Sequence, residues 1–443
     1  MRQLPQATRK EIFGWAMFDF ANQAYTLLII TVIYGDLFTR IIVGDAHNNY
    51  RLGNLYWSMA LSVSYLLVVI SAPLFGAIID FSATRKRFLF ASYVLTVITT
   101  TLLYWVAPGY IFLGMLLLIL SNYAYSIGES FIASFLPDLG RPEDLGKISG
   151  FGWALGYIGG LVATAMALLF LGEVSHENFA RIRWVGPFAG VFFLIAAVPT
   201  FVWLNEHGRA RRLKHPAAYL TIGVRKLRRT CGQLSRYPDL SFLFISIFFA
   251  MCGIYIIITF TFIYGAQVIA WDESVRILMF VVVQITATLG ALGFGFLQDR
   301  WGSKSTYALT LALWIVTIVL IYLTPELARL ATLFGLSWQA QHIFLVVGCF
   351  AGTCLGSTQS AGRALVGLFS PRSKVAEFYG FWGLFSKGAA IIGLIGIGLL
   401  QYVFGLHHAI LFCALLFACA LATALTINEK RGRRHAGTSA ENC

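Results

Sequence analysis

Residues 240–265 read LSFLFISIFFAMCGIYIIITFTFIYG, without one Asp, Glu, Lys or Arg. About 20 apolar residues are needed for a helix to cross the hydrocarbon core of a bilayer. Lipid offers the backbone no hydrogen-bond partner, so such a run must be helical. Outward from it in both directions the same signature recurs. Nine uninterrupted runs of 18 residues or more are free of charged side chains, two of them (88–128 and 388–428) long enough for two helices each, and one further segment, 13–35, is interrupted once, by Asp19. The expected spans, numbered 1 to 12, are 13–35, 55–79, 88–107, 110–135, 148–171, 184–204, 240–265, 277–297, 305–324, 341–369, 378–400 and 409–428.

Composition agrees. The chain is 58% hydrophobic and 12% charged, with mean hydropathy +0.74, whereas a soluble domain carries about 25% charged residues. Membrane β-strands alternate over about 10 residues, which these longer, uniformly apolar runs do not. The expected fold is therefore an all-α membrane protein. No cleavable signal peptide is expected, since the first apolar run contains Asp19, Asn22 and Gln23. Cys252, Cys349, Cys354, Cys413 and Cys419 fall in apolar spans, and Cys231 and Cys443 in basic segments, so no disulfide framework is implied.

Net charge is +13, and its placement gives the orientation. With the N-terminus in the cytoplasm, 25 Lys and Arg fall on the inner side and 6 on the outer, with Arg363 and Lys387 inside spans. Basic loops stay on the cytoplasmic side. Both termini are thus expected on the cytoplasmic side, and the charge calls for no nucleic-acid partner. The division expected is 1–204 as an N-terminal six-helix half, 205–239 as a basic linker, 240–428 as a C-terminal half and 429–443 as a basic tail. Within the linker, 217–234 reads either as an amphipathic helix on anionic lipid or as a flexible connection.

The loop after span 2 runs Gly76-Ala-Ile-Ile-Asp80-Phe-Ser-Ala-Thr-Arg85, and the loop after span 8 runs Gly295-Phe-Leu-Gln-Asp299-Arg300-Trp-Gly302-Ser-Lys304. In each, Asp follows Gly by four and a base follows Asp by five, at an offset of 219 residues. Equivalent turns after the second helix of each half point to two pseudo-symmetric six-helix halves, a common transporter construction. Gly lets helices approach. Asp at a helix end can pair with bases or with the N-terminal dipole of a neighbouring helix. Gly76, Asp80, Arg85, Gly295, Asp299, Arg300 and Lys304 are the candidate gating residues, the alternative being a plain tight turn with inner-side charges.

These loops resemble the signature of the major facilitator superfamily, Gly-x-x-x-Asp-Arg-x-Gly-Arg/Lys after helices 2 and 8. The first copy departs from it, with Phe81 for Arg and Ala83 for Gly. Further segments narrow the resemblance: 14–25 (GWAMFDFANQAY), Phe135-Leu-Pro137-Asp138 before 148–160, Gln359 to Arg363, and 376–381. Together they are similar to the vacuolar amino-acid effluxer-like, autophagy-related branch, over nearly the whole chain. The resemblance implies a secondary transporter with helices 1, 4, 7 and 10 around a central cavity, and an amino acid or related small polar solute as substrate.

Charge at bilayer depth costs at least a few kcal/mol and calls for a reason. Asp19 (span 1), Glu129 (span 4), Arg363 (span 10) and Lys387 (span 11) are expected in one layer toward the cytoplasmic side. Either Arg363 grips a substrate carboxylate while Asp19 or Glu129 holds an ammonium or a proton, or all four form a gate. Asn22, Gln23, Asn122, Tyr255 and Gln359 complete the substrate or proton candidates, with Tyr123, Thr259 and Gln284 as further polar positions. Gly152, Gly156 and Gly160 form a close-packing face on span 5. Asp138 and Glu377 are expected to cap helices or to pair with Arg141 and Arg372.

No Walker-type loop occurs, and His407 and His408 lie on different helix faces, so neither ATP hydrolysis nor a metal centre is expected. No enzyme and no cofactor is expected. The expected function is secondary active transport by alternating access, proton-coupled, by a monomer whose partners are the solute, H+ and the bilayer. The alternatives are transport of a drug, sugar, cell-wall fragment or lipid, or a non-transporting membrane sensor.

Overall fold

The computed structural model describes residues 7–48, 50–172, 174–206, 216–232, 237–335 and 337–438. Arg209, Arg211, Arg212, Lys214 and Arg236 of the linker, and the end of the tail, lie outside the described residues. Among the described residues all regular structure is helical. Eleven helices are long and apolar enough to cross a membrane. The twelfth, Leu411–Thr426, passes the same test together with Glu429–Ala436, bent from it by 67°. The architecture is the twelve-helix major facilitator fold.

Several helices outrun the hydropathy windows. Span 2 is Arg51–Ser82, span 8 Glu273–Trp301, span 9 Ser303–Leu333 and span 11 Val375–Ala409. Span 5 starts earlier than expected, at Leu145. Span 1 begins as Arg9–Tyr25, with Thr8 and Glu11 forming a reciprocal cap, and then widens into π-helical turns that reach Val43. Hydropathy registers the lipid-facing middle of a helix, whereas helix geometry continues beyond it. In span 11 the backbone leaves helical geometry at Gly405 (φ 75°, ψ 156°), so His407 to Ala409 lie beyond a kink.

Two compact units divide the chain. The first comprises Met1–Gly140, Leu155–Arg229 and Lys374–Leu384, the second Arg141–Ala154, Thr230–Ser373 and Phe385–Cys443. Sequence boundaries mark where the chain repeats, and the units mark where it packs. The first turns of span 5 pack with spans 8 and 10, and the first turns of span 11 with spans 2 and 4.

In the first unit, spans 1 and 6 meet at Gly14, where an added Cβ would lie 2.9 Å from the Pro199 carbonyl. Thr200 donates to the Gly14 carbonyl at 2.7 Å, and the Trp15 indole donates to the Ile132 carbonyl at 2.8 Å. Phe18, Tyr93, Phe193 and Phe201 interlock edge-on or tilted beside them. In the second unit, Trp314 stacks on Phe417 at 4.9 Å. Spans 8 and 10 approach through Gly290, Gly352 and Gly356, where any added Cβ would strike the backbone of the facing helix. With no hydrophobic force between helices in lipid, such small-residue contacts supply the packing.

Candidate functional site

The two repeated loops build the same geometry. Asp80 ends span 2, and its carboxylate accepts from the backbone N–H groups of Ala376 (3.0 Å) and Glu377 (2.8 Å). These are the second and third residues of span 11. Asp299 ends span 8 and accepts from the N–H groups of Gly146 and Lys147, both at 3.1 Å, the second and third residues of span 5. First-turn N–H groups have no partner within their own helix, and a carboxylate there also meets the positive end of the helix dipole. Of the pairings considered from the sequence, the geometry realises the helix N-terminus. The glycine four residues earlier makes room: a Cβ on Gly76 would collide with the Ala376 backbone, and one on Gly295 would lie 2.9 Å from the Gly146 carbonyl.

The neighbouring bases differ. Lys147 Nζ lies 3.6 Å from Asp299 and 3.6 Å from Asp144. Arg85 turns instead to Asp138 (2.6 Å) and donates to the Ser134 carbonyl at 3.1 Å. That corrects the expected pairing of Asp138 with Arg141, which bonds Asp144 at 3.4 Å. Arg141 sits beyond a turn that points it back along its own segment, while Arg85 reaches across from span 3. Arg300 is exposed. Lys304 donates through Nζ to the Leu425 carbonyl (2.8 Å) and through its backbone N–H to Glu429 (2.9 Å).

Arg363 is buried. Its Nε donates to the Ser149 hydroxyl at 3.1 Å, and Nη2 to the Ser149 carbonyl at 2.9 Å. Its guanidinium lies 5.3 Å from the Trp153 ring centroid. Ser149 in turn donates to the Ser360 carbonyl at 2.8 Å. Lys387 donates to the Tyr255 hydroxyl at 3.0 Å, with the ring 5.6 Å away. Gln359 donates weakly to its own helix, at Leu355.

On the first unit, Glu129 accepts from the Tyr125 hydroxyl at 3.0 Å, and that hydroxyl is 2.7 Å from Thr26. Tyr25 stacks on Tyr125 at 4.6 Å and shares a 2.8 Å hydrogen bond with Ser121. Asp19, Asn22 and Gln23 lie on span 1, and Gly156 of span 5 packs against Asp19 and Gln23. Asn22 is buried, with Oδ1 unpartnered. Asn122 is buried and donates to Ser64 at 2.5 Å. Tyr123 bonds Ser71 at 3.0 Å.

Sequence reasoning missed Ser149 as the seat of Arg363, and the Tyr125–Thr26 pair beside Glu129. Ser149 has no local signal, being 214 residues from Arg363, whereas Tyr125 lies four residues before Glu129 on one helix, a spacing that marks it as a neighbour. It also missed the Asp239 carboxylate, which accepts from Asn428 N–H and from Arg431 Nε, both at 2.7 Å, and so ties the tail helix Glu429–Thr438 to the start of span 7.

Comparison with known proteins adds the family. The family described as "Vacuole effluxer Atg22 like" matches residues 55–145 and 143–437. An uncharacterized MFS-type transporter of Bacillus subtilis, YxiO, is 22% identical over 87% of this chain and 86% of its own length. Autophagy-related protein 22-1 of Neosartorya fischeri is 21% identical over 66% of this chain, a match that spans about half of the fungal protein (49%). Among solved structures, the proton:xylose symporter XylE aligns with TM-score 0.72 at 13% identity, over 97% of this chain and 99% of that one. A bacterial homologue of the iron transporter ferroportin, in an outward-facing state, aligns with TM-score 0.68 at 14% identity, over 94% of this chain and 98% of that one.

Proposed function

The chain belongs to the vacuole effluxer Atg22-like family of major facilitator transporters, and from that premise we propose that it moves a small polar solute, an amino acid or related compound, across a bacterial cytoplasmic membrane by proton-coupled alternating access. Both termini lie in the cytoplasm in this reading, as the basic loops require. The observation that carries it is the repeated pair of aspartate caps. Asp80 and Asp299 each hold the first turn of a helix from the opposite sequence half by two hydrogen bonds. Such bonds can close the cytoplasmic end in one state and be replaced by water in the other, which is what a rocking transporter needs.

The intramembrane charges then divide their labour. Arg363 is the gate member, since its donors are engaged by Ser149 and its face by Trp153. Glu129 and Asp19 are the proton candidates. Tyr125, between Glu129 and Thr26, gives Glu129 a hydroxyl neighbour through which a proton can pass. Asn22, Gln23 and Asn122 offer uncharged hydrogen-bonding groups for the solute, and Lys387 with Tyr255 a cationic one.

The test is transport in proteoliposomes. A thermal-shift screen of amino acids and related metabolites first identifies a ligand, because binding to the native state raises apparent stability. Accumulation of that labelled ligand is then followed with and without a pH gradient. Glu129→Gln or Asp19→Asn should abolish gradient-driven accumulation while sparing exchange at equal pH. If both variants still accumulate ligand down an imposed proton gradient, coupling through these carboxyls is wrong.

A further inference from the structure

Between Glu206 and Asp239 the chain holds no Asp or Glu, yet it carries nine Lys and Arg. Part of this stretch is the helix Pro216–Gly232. Its described side chains sort by helical spacing into two faces. Gly223, Lys226 and Leu227, at i, i+3 and i+4, are buried or half-buried. At Gly223 an added Cβ would lie 2.6 Å from Ile78 and 3.1 Å from Leu74, so this face rests on span 2. Val224, Arg225, Arg228 and Arg229 are exposed on the other face. Ile78 is one turn from Ser82, the last residue of span 2, about 6 Å along the axis. The basic face therefore sits at the depth where a spanning helix leaves the hydrocarbon and meets phosphate groups. Among the described residues no salt bridge engages Arg225, Arg228 or Arg229.

The inner face has its own consequence. Lys226 shares that inner face with Gly223, which rests on Ile78, two residues before Asp80, the carboxylate that caps span 11. A cation held there stabilises the ionised carboxylate and so strengthens its bonds to Ala376 and Glu377.

We propose that the linker helix is an anionic-lipid sensor: Arg225, Arg228 and Arg229 bind lipid phosphates, and the helix so anchored keeps Lys226 beside Asp80 and favours the capped state. Each Lys or Arg near an anionic leaflet is attracted to it, and three on one face act together. The exposed Val224 adds an apolar foothold. The regulatory half of the proposal rests on reading Asp80 as a gate; the lipid-binding half does not.

Two measurements on the full-length protein separate these halves. The first follows apparent melting temperature in detergent on adding phosphatidylglycerol, phosphatidylcholine or inorganic phosphate. Phosphatidylglycerol alone should raise it, and the variant carrying R225Q, R228Q and R229Q together should lose that shift. A triple variant that keeps the shift, or an equal shift with inorganic phosphate, overturns the lipid site. The second follows labelling of a cysteine placed by Ala376→Cys, located by peptide mass spectrometry, in vesicles with or without phosphatidylglycerol. Labelling should be about two- to fivefold slower in the anionic vesicles, the range expected for one partly exposed charge interaction. Lys226→Gln should keep the melting shift and lose this dependence. Equal labelling in both vesicles, while Asp80→Asn raises it, overturns the coupling and leaves the gate standing. Labelling that Asp80→Asn fails to raise removes the gate itself.

Discussion

The carboxylates of Asp80 and Asp299 each accept two N–H groups from the first turn of a neighbouring helix, yet their surroundings are unlike. Around Asp299, Lys147 comes from the very helix being capped and adds an ion pair at 3.6 Å. Two residues further along the same helix, Ser149 receives the buried Arg363. Around Asp80, the base of the repeat, Arg85, is spent on Asp138, and the contacts that follow along span 11 are steric: Gly380 against the Ala72 and Pro73 backbone, and Gly383 against Ser130. One copy is braced by charge and the other by close packing. The departure of the first loop from the signature, Phe81 and Ala83 in place of Arg and Gly, falls on the copy that relies on packing. A duplicated motif thus keeps its aspartate and glycine, which make the cap, and lets the flanking charges drift.

That contrast is open to measurement through cysteine accessibility from the cytoplasmic side, and the largest effect is expected at Arg363. Arg363→Ala removes two charge-assisted hydrogen bonds and the contact with Trp153, a loss of about 3 kcal/mol. Accessibility along spans 5 and 10 should rise more than a hundredfold, with span 11 little affected. Equal opening at spans 5 and 11 would show that the two caps act as one and break the contrast.

Gly76→Ala and Gly150→Ala come next. Each puts a Cβ onto the backbone of a facing helix, at Ala376 and Ala291 respectively, where no side chain can yield. Overpacking of this kind costs about 1–3 kcal/mol. The capped state should lose population about tenfold or more in both variants. Because the first copy relies on packing, Gly76→Ala should open its copy further than Gly150→Ala opens the Arg363-braced one. The reverse order would reject the assignment of steric and electrostatic bracing.

The aspartates themselves follow. Asn keeps a carbonyl acceptor but loses the charge, and charged hydrogen bonds are about twice as strong as neutral ones. Asp80→Asn and Asp299→Asn should each weaken the cap by about 1–2 kcal/mol, a factor of about 5–30. Asp299→Asn should be the more damaging, since it also removes the Lys147–Asp299 ion pair. Indistinguishable accessibility in both variants and the wild type would reduce the loops to tight turns.

Much of this was legible before any coordinates. Charge-free runs fix the spans because lipid imposes one length and one conformation on them. The 219-residue repeat located both caps, and the helix dipole was already a named partner for each aspartate. What the sequence could not carry was register between helices far apart in the chain. Nothing local tells Arg363 that it will meet Ser149 rather than a solute, or tells Arg85 that it will cross to Asp138 while Arg141 turns to Asp144. Hydropathy likewise stops short at helix ends, where side chains turn polar but backbone bonding continues, as at Leu145 and Val375. Those ends hold the caps, so the part of the molecule on which the proposed gate rests is the part that a hydropathy window trims away.

The smallest expected effect isolates the direct ion pair to the capping carboxylate that one copy has and the other lacks. Lys147 is 43% exposed and Asp299 5%, so their ion pair is partly screened by solvent and contributes about 0.2–1 kcal/mol. Lys147→Gln should therefore raise accessibility of span 5 by no more than about fivefold. The informative readout is its salt dependence. At about 0.1 M ionic strength the Debye length is about 10 Å, and at 1 M about 3 Å. Raising salt should open the Asp299 copy of the wild type toward the level of Lys147→Gln, and should change that variant itself little. The Asp80 copy, whose carboxylate makes no direct ion pair among the described residues and whose neighbour Lys226 is half-buried, should respond less. Double substitution with Asp299→Asn should then be less than additive, since neighbours in one network couple. Full additivity, or an equal salt response from both copies, would mean that Lys147 is a solvated bystander and that the two caps differ only in sequence.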